Sequence, residues 1–176
     1  MSWMWDGDGE RVDFITEDLA VANLEAASDP ETLIRHGIRG VVDASNREGN
    51  PRFPGIHYHE VPIADPDERL VDLLPGVVAF IDEARRHGNV LLHCVAGVSR
   101  SPALAICYLH ERHGLSLPAA LHHVCSRRAH ANPHPLFLRL IHAYYDAQNG
   151  NAAGQPPSPP DHRSGGEVAD PDRQDG

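Results

Sequence analysis

The chain has 176 residues, 41% of them hydrophobic, which suits one domain with a real core and some chain to spare. Its formal net charge is −10 and no arginine cluster is dense, so a general nucleic-acid-binding surface is excluded. The three cysteines (Cys94, Cys107, Cys125) give neither a disulfide framework nor a zinc-type spacing, and no run approaches the roughly 18 apolar residues that a membrane span requires. Free thiols, and an N-terminus (MSWMWDGDGE) without an apolar signal segment, point to a cytoplasmic protein.

VDFIT (12–16) and LAVANL (19–24) read as short strands. Asp29-Pro30 opens a short helix, PETLIRHG, with Asp29 as N-cap, Pro30 at the first helical position and Gly37 past the end. IRGVVDAS (38–45) is an apolar, β-rich strand, and a polar loop with Pro51, Pro54 and Gly55 follows. HYHEVPI (57–63) alternates as a strand does. Residues 72–87 read as a helix whose apolar stripe is Val77, Phe80, Ile81 and Ala84, with Pro75 in its first turn. NVLLHC (89–94) is continuously apolar, the pattern of a central strand covered on both faces. Helices follow at 100–113, 117–127 and 134–148, and the alternation predicts an α/β sandwich. Residues 149–176 hold five prolines and five glycines and almost nothing to bury. The expectation is a folded domain over 1–148 and a disordered acidic tail over 149–176.

The chemistry concentrates in HCVAGVSRS, residues 93–101. Between Cys94 and Arg100 lie Val95, Ala96, Gly97, Val98 and Ser99, none of them charged. Gly97 permits a turn that other residues resist, and such a turn points successive N–H groups inward as an anion nest. The helix that follows adds its positive N-terminal end at the same point, and Arg100 adds a planar fork suited to two phosphate oxygens. The result is a phosphate cradle with a sulfur at its base. That environment lowers a thiol pKa, so Cys94 becomes a thiolate able to attack phosphorus. Ser101 is placed to donate a hydrogen bond to the sulfur and help it leave, and His93 to orient the loop.

HCVAGVSRS resembles the signature loop of the cysteine-based protein tyrosine phosphatases, H-C-x5-R-[ST], and its AG-V-S-R-S form is closest to the dual-specificity phosphatases. The likeness runs over roughly residues 13–146: HYHEVPIAD resembles the strand leading to the family's general-acid loop, and the helices on either side of the signature loop match as well. The resemblance implies a central, mostly parallel sheet flanked by helices in a phosphatase-type three-layer sandwich. It implies hydrolysis of a phosphorylated protein or peptide, at phosphotyrosine and at phosphoserine or phosphothreonine, through a phosphocysteine intermediate. It also implies a general acid about thirty residues before the cysteine. Asp65 in VPIADPDER falls there, with Asp67 as the nearby alternative. No metal or other cofactor is required, because the cradle and Arg100 already neutralise the phosphate. The uncharged loop positions favour a phosphoprotein over a multiply phosphorylated inositide. Three alternatives remain open: a phosphatase for a phosphoinositide, an RNA 5′-phosphate or a small ester; a non-enzymatic phosphate-binding module; and a rhodanese-like sulfur carrier. Where many relatives have a Pro-Asn pair and a later Gln, this chain has His134 and Leu140.

Other residues read more plainly. Cys107 and Cys125 read as core thiols, with a resolving role toward Cys94 as the rarer alternative. The pairs His57/His59 and His110/His113 read as surface or half-buried polar residues rather than metal ligands. Asp43 reads as a strand-end residue first and a supporting group near the site second. Arg127 and Arg128 are read either as facing a substrate phosphate or as solvated.

Overall fold

The computed structural model describes residues 11–153. Among these, five strands form one sheet: β1 (Val12–Phe14), β2 (Leu19–Ala22), β3 (Ile38–Asp43), β4 (His57–Glu60) and β5 (Asn89–His93), in the order β1-β2-β5-β3-β4. β1 runs antiparallel to β2, and every other pair is parallel. The mostly parallel sheet expected from the sequence is present, with the apolar NVLLH strand at its centre.

Successive residues of a strand face opposite sides, and β5 uses both. Val90 and Leu92 enter the larger core beneath α3 (Leu70–Ala84), α4 (Arg100–His113), α5 (Leu117–Arg127) and α6 (Pro135–Ala153), while Leu91 enters a smaller one with α1 (Leu24–Ala27) and α2 (Pro30–Arg35). This is the three-layer sandwich. Gly40 of β3 lets α3 approach, since a Cβ there would stand 2.5 Å from that of Ala84.

Local signals explain most element ends. Asp29 Oδ2 accepts from the Thr32 amide at 2.7 Å, Pro30 opens α2, and Gly37 follows with φ +61°. Several boundaries differ from the sequence reading: β1 stops at Phe14, β3 at Asp43 and β5 at His93, each one or two residues early. LAVANL leaves the sheet at Ala22, because Asn23 caps α1 by accepting the Ala26 amide at 2.9 Å. The 57–63 strand stops at Glu60, and past Pro62 the Ile63 amide turns back onto the Val61 carbonyl at 2.9 Å. α3 begins at Leu70 and ends at Ala84, so Pro75 sits in its second turn and withholds an N–H from the Val71 carbonyl. α6 continues to Ala153, five residues beyond the expected 148. The rest of the proline- and glycine-rich tail, 154–176, and residues 1–10 lie outside the described residues.

α3 buries Leu70, Leu74, Val77, Val78, Ile81 and Ala84, and each large aliphatic side chain among them contributes about 1.5–3 kcal/mol. Phe80 is only partly buried and stacks on His59 at 5.2 Å. The parallel strands β2, β3 and β5 all end on one side of the sheet, at Ala22, Asp43 and His93. The loop from Cys94 to Ser99 leaves β5 there and runs directly into the N-terminus of α4.

Candidate active site

Cys94 is buried at 2% exposure, at the floor of a tight loop. Its Sγ accepts the Gly97 amide at 3.2 Å and the Ser101 hydroxyl at 3.3 Å. The four carbonyls that follow are all engaged from behind. Val95 O accepts from the Leu24 amide at 3.0 Å and Val98 O from the Asn132 amide at 2.7 Å. Gly97 O accepts from Arg128 Nε at 2.6 Å and Ala96 O from Arg128 Nη2 at 3.4 Å. With the carbonyls held outward, the N–H groups are left to face the concavity, which is what an anion nest requires. Gly97 is obligatory in this loop: its φ is +66°, and a Cβ would stand 2.6 Å from both the Ala22 carbonyl and Arg128 Nη2.

Electrostatics favour the thiolate. Burial pushes the Cys94 thiol up, but the Ser101 hydroxyl and amide, the Arg100 charge and the Gly97 amide outweigh it, so its pKa lies below the ordinary thiol value. Arg100 is braced by donating from Nη1 to the carbonyls of Ser45 at 2.9 Å and Ile63 at 3.2 Å. Among the described residues its buried Nε has no partner, which leaves a donor suited to a ligand oxygen. His93 lies 2% exposed beneath the loop, with Nδ1 3.1 Å from the Cys94 carbonyl. Burial lowers its pKa, and the Asp43 carboxylate 3.5 Å from Nε2 only partly offsets this.

Asp43 is not a plain strand end. It accepts from the Ser45 amide at 3.0 Å and hydroxyl at 2.6 Å, from Asn50 Nδ2 at 2.7 Å and from Arg52 Nη1 at 3.2 Å. Burial raises its pKa, but the Ser45 and Asn50 donors bring it below the usual carboxylate value. Asp43 thereby shapes the turn whose Ser45 carbonyl braces Arg100. Arg128 is also misread in sequence. It is 0% exposed, neither solvated nor open to substrate, and its Nη1 donates to Asp13 at 2.8 Å. No spacing rule finds it, because its partners lie 31 and 115 residues away in the chain.

The two candidate acids behave differently. Asp67 accepts from the Ala64 amide at 3.0 Å and from the amide, Nε and Nη2 of Arg69 at 3.0, 3.0 and 2.7 Å. Those donors, Arg69 foremost, hold its carboxyl far below the usual range. Asp67 is thus committed to clamping its own loop. Asp65 is exposed and accepts from the Ser99 hydroxyl at 2.8 Å. Ser99 in turn accepts the His134 amide at 2.9 Å. Thus the loop brings Cys94, Ser101, Gly97 and Arg100 together, and Ser99 links them to Asp65.

The family model described as "Dual specificity phosphatase, catalytic domain" matches residues 19–147. The human "Dual specificity protein phosphatase 21" is 37% identical over 148 residues, covering 82% of this chain and 78% of that protein. The chain belongs to the dual specificity phosphatase family. Membership makes it a cysteine-based protein phosphatase, a hydrolase acting on phosphoproteins. Among solved structures, a mouse dual specificity phosphatase complexed with zinc tungstate superposes with a TM-score of 0.73 at 31% identity, covering 80% of this chain and 90% of that one. The human "tyrosine phosphatase-like serine/threonine/tyrosine-interacting protein" gives 0.71 at 28% identity, over 78% and 97%.

In this dual specificity phosphatase the His134 departure is accommodated by main chain. The His134 and Asn132 amides make the contacts to Ser99 and Val98, and any side chain supplies an amide. Cys107 is buried and burial pushes its thiol pKa up, whereas Cys125 is half-buried and donates to the Ala131 carbonyl at 3.5 Å. His110 spends Nδ1 on the Leu115 carbonyl at 2.7 Å and packs edge-on against Tyr145. Among the described residues no group of three or more His, Cys, Asp or Glu is arranged to hold a metal ion, and no helix is long and apolar enough to cross a membrane.

Proposed function

We propose that this chain hydrolyses phosphotyrosine, and phosphoserine or phosphothreonine, in proteins, with Cys94 as nucleophile, Arg100 as phosphate clamp, Asp65 as general acid and Ser101 as the donor that eases thiolate departure. In the first step the Cys94 thiolate forms an S–P bond as the P–O bond to the leaving group breaks, and the Asp65 carboxyl gives that oxygen its proton. In the second, the Asp65 carboxylate takes a proton from water as the water oxygen attacks phosphorus, and Cys94 departs as a thiolate. The amides of residues 95–99 and Arg100 carry the charge of the transferring phosphoryl group. The observation that carries the reading is the Cys94 sulfur, held by the Gly97 amide and Ser101 hydroxyl at the floor of an outward-braced loop. The tungstate named with the mouse relative is a tetrahedral dianion of phosphate's shape, in keeping with such a cradle.

We assign the catalytic unit to residues 1–148 plus the last turn of α6, with the remaining tail accessory to it. A reducing, cytoplasmic setting fits three free cysteines, one of them the nucleophile. Wild type should hydrolyse a phosphotyrosine peptide in EDTA, with vanadate blocking it, and Cys94→Ser should abolish turnover while folding normally. Equal activity in the Cys94→Ser protein would overturn the assignment. So would a folded wild type that turns over only a phosphoinositide or a small phosphate ester.

A further inference from the structure

Ser99 and Ser101 lie two residues apart in one loop and have different tasks. Ser101 donates to the sulfur. Ser99 turns away from it, to the rim of the cradle. A hydroxyl has one proton to donate and lone pairs to accept with, and at Ser99 both capacities are used. The His134 amide, at the N-terminal corner of α6, donates to its oxygen at 2.9 Å, and the hydroxyl proton goes to Asp65 Oδ1 at 2.8 Å. Three segments meet at that one oxygen atom: the 61–69 loop, the signature loop and the start of α6.

The division of labour within the 61–69 loop sharpens the point. The loop's backbone is clamped by Asp67, through Ala64 and Arg69. The Asp65 side chain shares none of that clamp. It is exposed, and among the described residues Ser99 Oγ is the one hydrogen-bond partner of its carboxylate. Alongside runs a cavity of about 300 Å³ lined by Asp65, Val98, Ser99, Asn132 and His134.

We propose that Ser99 is a positioning residue for Asp65: its hydroxyl, oriented by the His134 amide, occupies Oδ1 and holds Oδ2 over the cradle to deliver the proton to the leaving oxygen. The inference rests on the assignment of Asp65 as general acid. A group that acts only by placing an acid matters in proportion to how much the leaving group needs protonation. The cost of removing it therefore depends on the substrate, whereas damage to the cradle falls on all substrates alike.

The test is kcat/KM for a series of aryl phosphates whose phenols run from strongly to weakly acidic, with wild type, Ser99→Ala, Ser99→Thr, Asp65→Asn and the double variant Ser99→Ala/Asp65→Asn. Asp65→Asn should make the rate depend steeply on leaving-group acidity. Ser99→Ala should share that dependence in part, losing about 10-fold on phenyl phosphate and less than about 2-fold on a dinitrophenyl phosphate. It should add little in the Asp65→Asn background, Ser99→Thr should restore the wild-type profile, and vanadate inhibition should be unchanged throughout. If Asp65→Asn steepens the dependence and Ser99→Ala does not, or if Ser99→Ala slows every substrate equally, the positioning role is overturned while the acid assignment survives. If Asp65→Asn leaves the dependence flat, the acid assignment itself is overturned and the Ser99 role with it.

Discussion

Two guanidinium groups grip the same loop, one from each side. Arg100, in front, braces itself on the Ser45 and Ile63 carbonyls and keeps a buried Nε that has no partner among the described residues. Arg128, behind, is saturated: it donates to the Gly97 and Ala96 carbonyls and to Asp13, and no part of it reaches solvent. The front arginine is arranged for a ligand, and the rear arginine for the backbone. The contrast teaches that a phosphate cradle has two halves. One presents donors to the anion. The other consumes the carbonyls that would repel it, since a loop whose carbonyls turned inward would oppose a phosphate.

The contrast predicts losses of different kinds. Arg100→Ala should lower kcat/KM by about 10³-fold and leave the urea midpoint near wild type, because the front arginine is used by the substrate. Arg128→Met should do the reverse first, lowering the unfolding free energy by about 1–3 kcal/mol, because it strands the buried Gly97 carbonyl and the Ala96 carbonyl and leaves Asp13 to Arg11. A urea titration of Arg128→Met that matches wild type would show that the rear arginine does not hold the loop. Gly97→Ala should cost about 1–2 kcal/mol for its left-handed backbone alone, with further loss from the contact with Ala22 and Arg128, and it should weaken vanadate inhibition.

The smallest expected effect is a pH shift. The hydrogen bonds to Cys94 favour its charged form, so its alkylation by iodoacetate should reach half-maximal rate below the roughly 8.5 of a free thiol. Ser101→Ala removes one of those donors and should move that midpoint upward. An unmoved or lowered midpoint would show that the Ser101 hydroxyl does not stabilise the thiolate.

The front half was legible in the sequence and the rear half was not. Cys94, Gly97, Arg100 and Ser101 lie within eight consecutive residues, and local chemistry alone relates them. The β5 strand was equally plain, because its apolar run has no polar face. Arg128 stands in a short basic pair at a helix end, where solvation is the ordinary outcome, yet the β1 edge and the Gly97 turn, distant in the chain, converge on it. Asp43 was undervalued for a similar reason. Its neighbours Ser45, Asn50 and Arg52 look like a polar loop until they close around one carboxylate. The same limit applies to element ends. Asn23 as a cap and the early start of α3 at Leu70 depend on where the chain is required to turn over the sheet, which periodicity does not encode.

Catalysis through Cys94 passes through a covalent bond between its sulfur and phosphorus, and that bond can be trapped. Wild type and Asp65→Asn are mixed with excess phosphotyrosine peptide, quenched within the first turnovers, digested and weighed by mass spectrometry. One added phosphoryl group is expected on the peptide containing Cys94, discharged to inorganic phosphate when quenching is delayed until substrate is exhausted. Turnover with no phosphoryl group on Cys94 at any quench time, or with one on another residue, would contradict catalysis through Cys94.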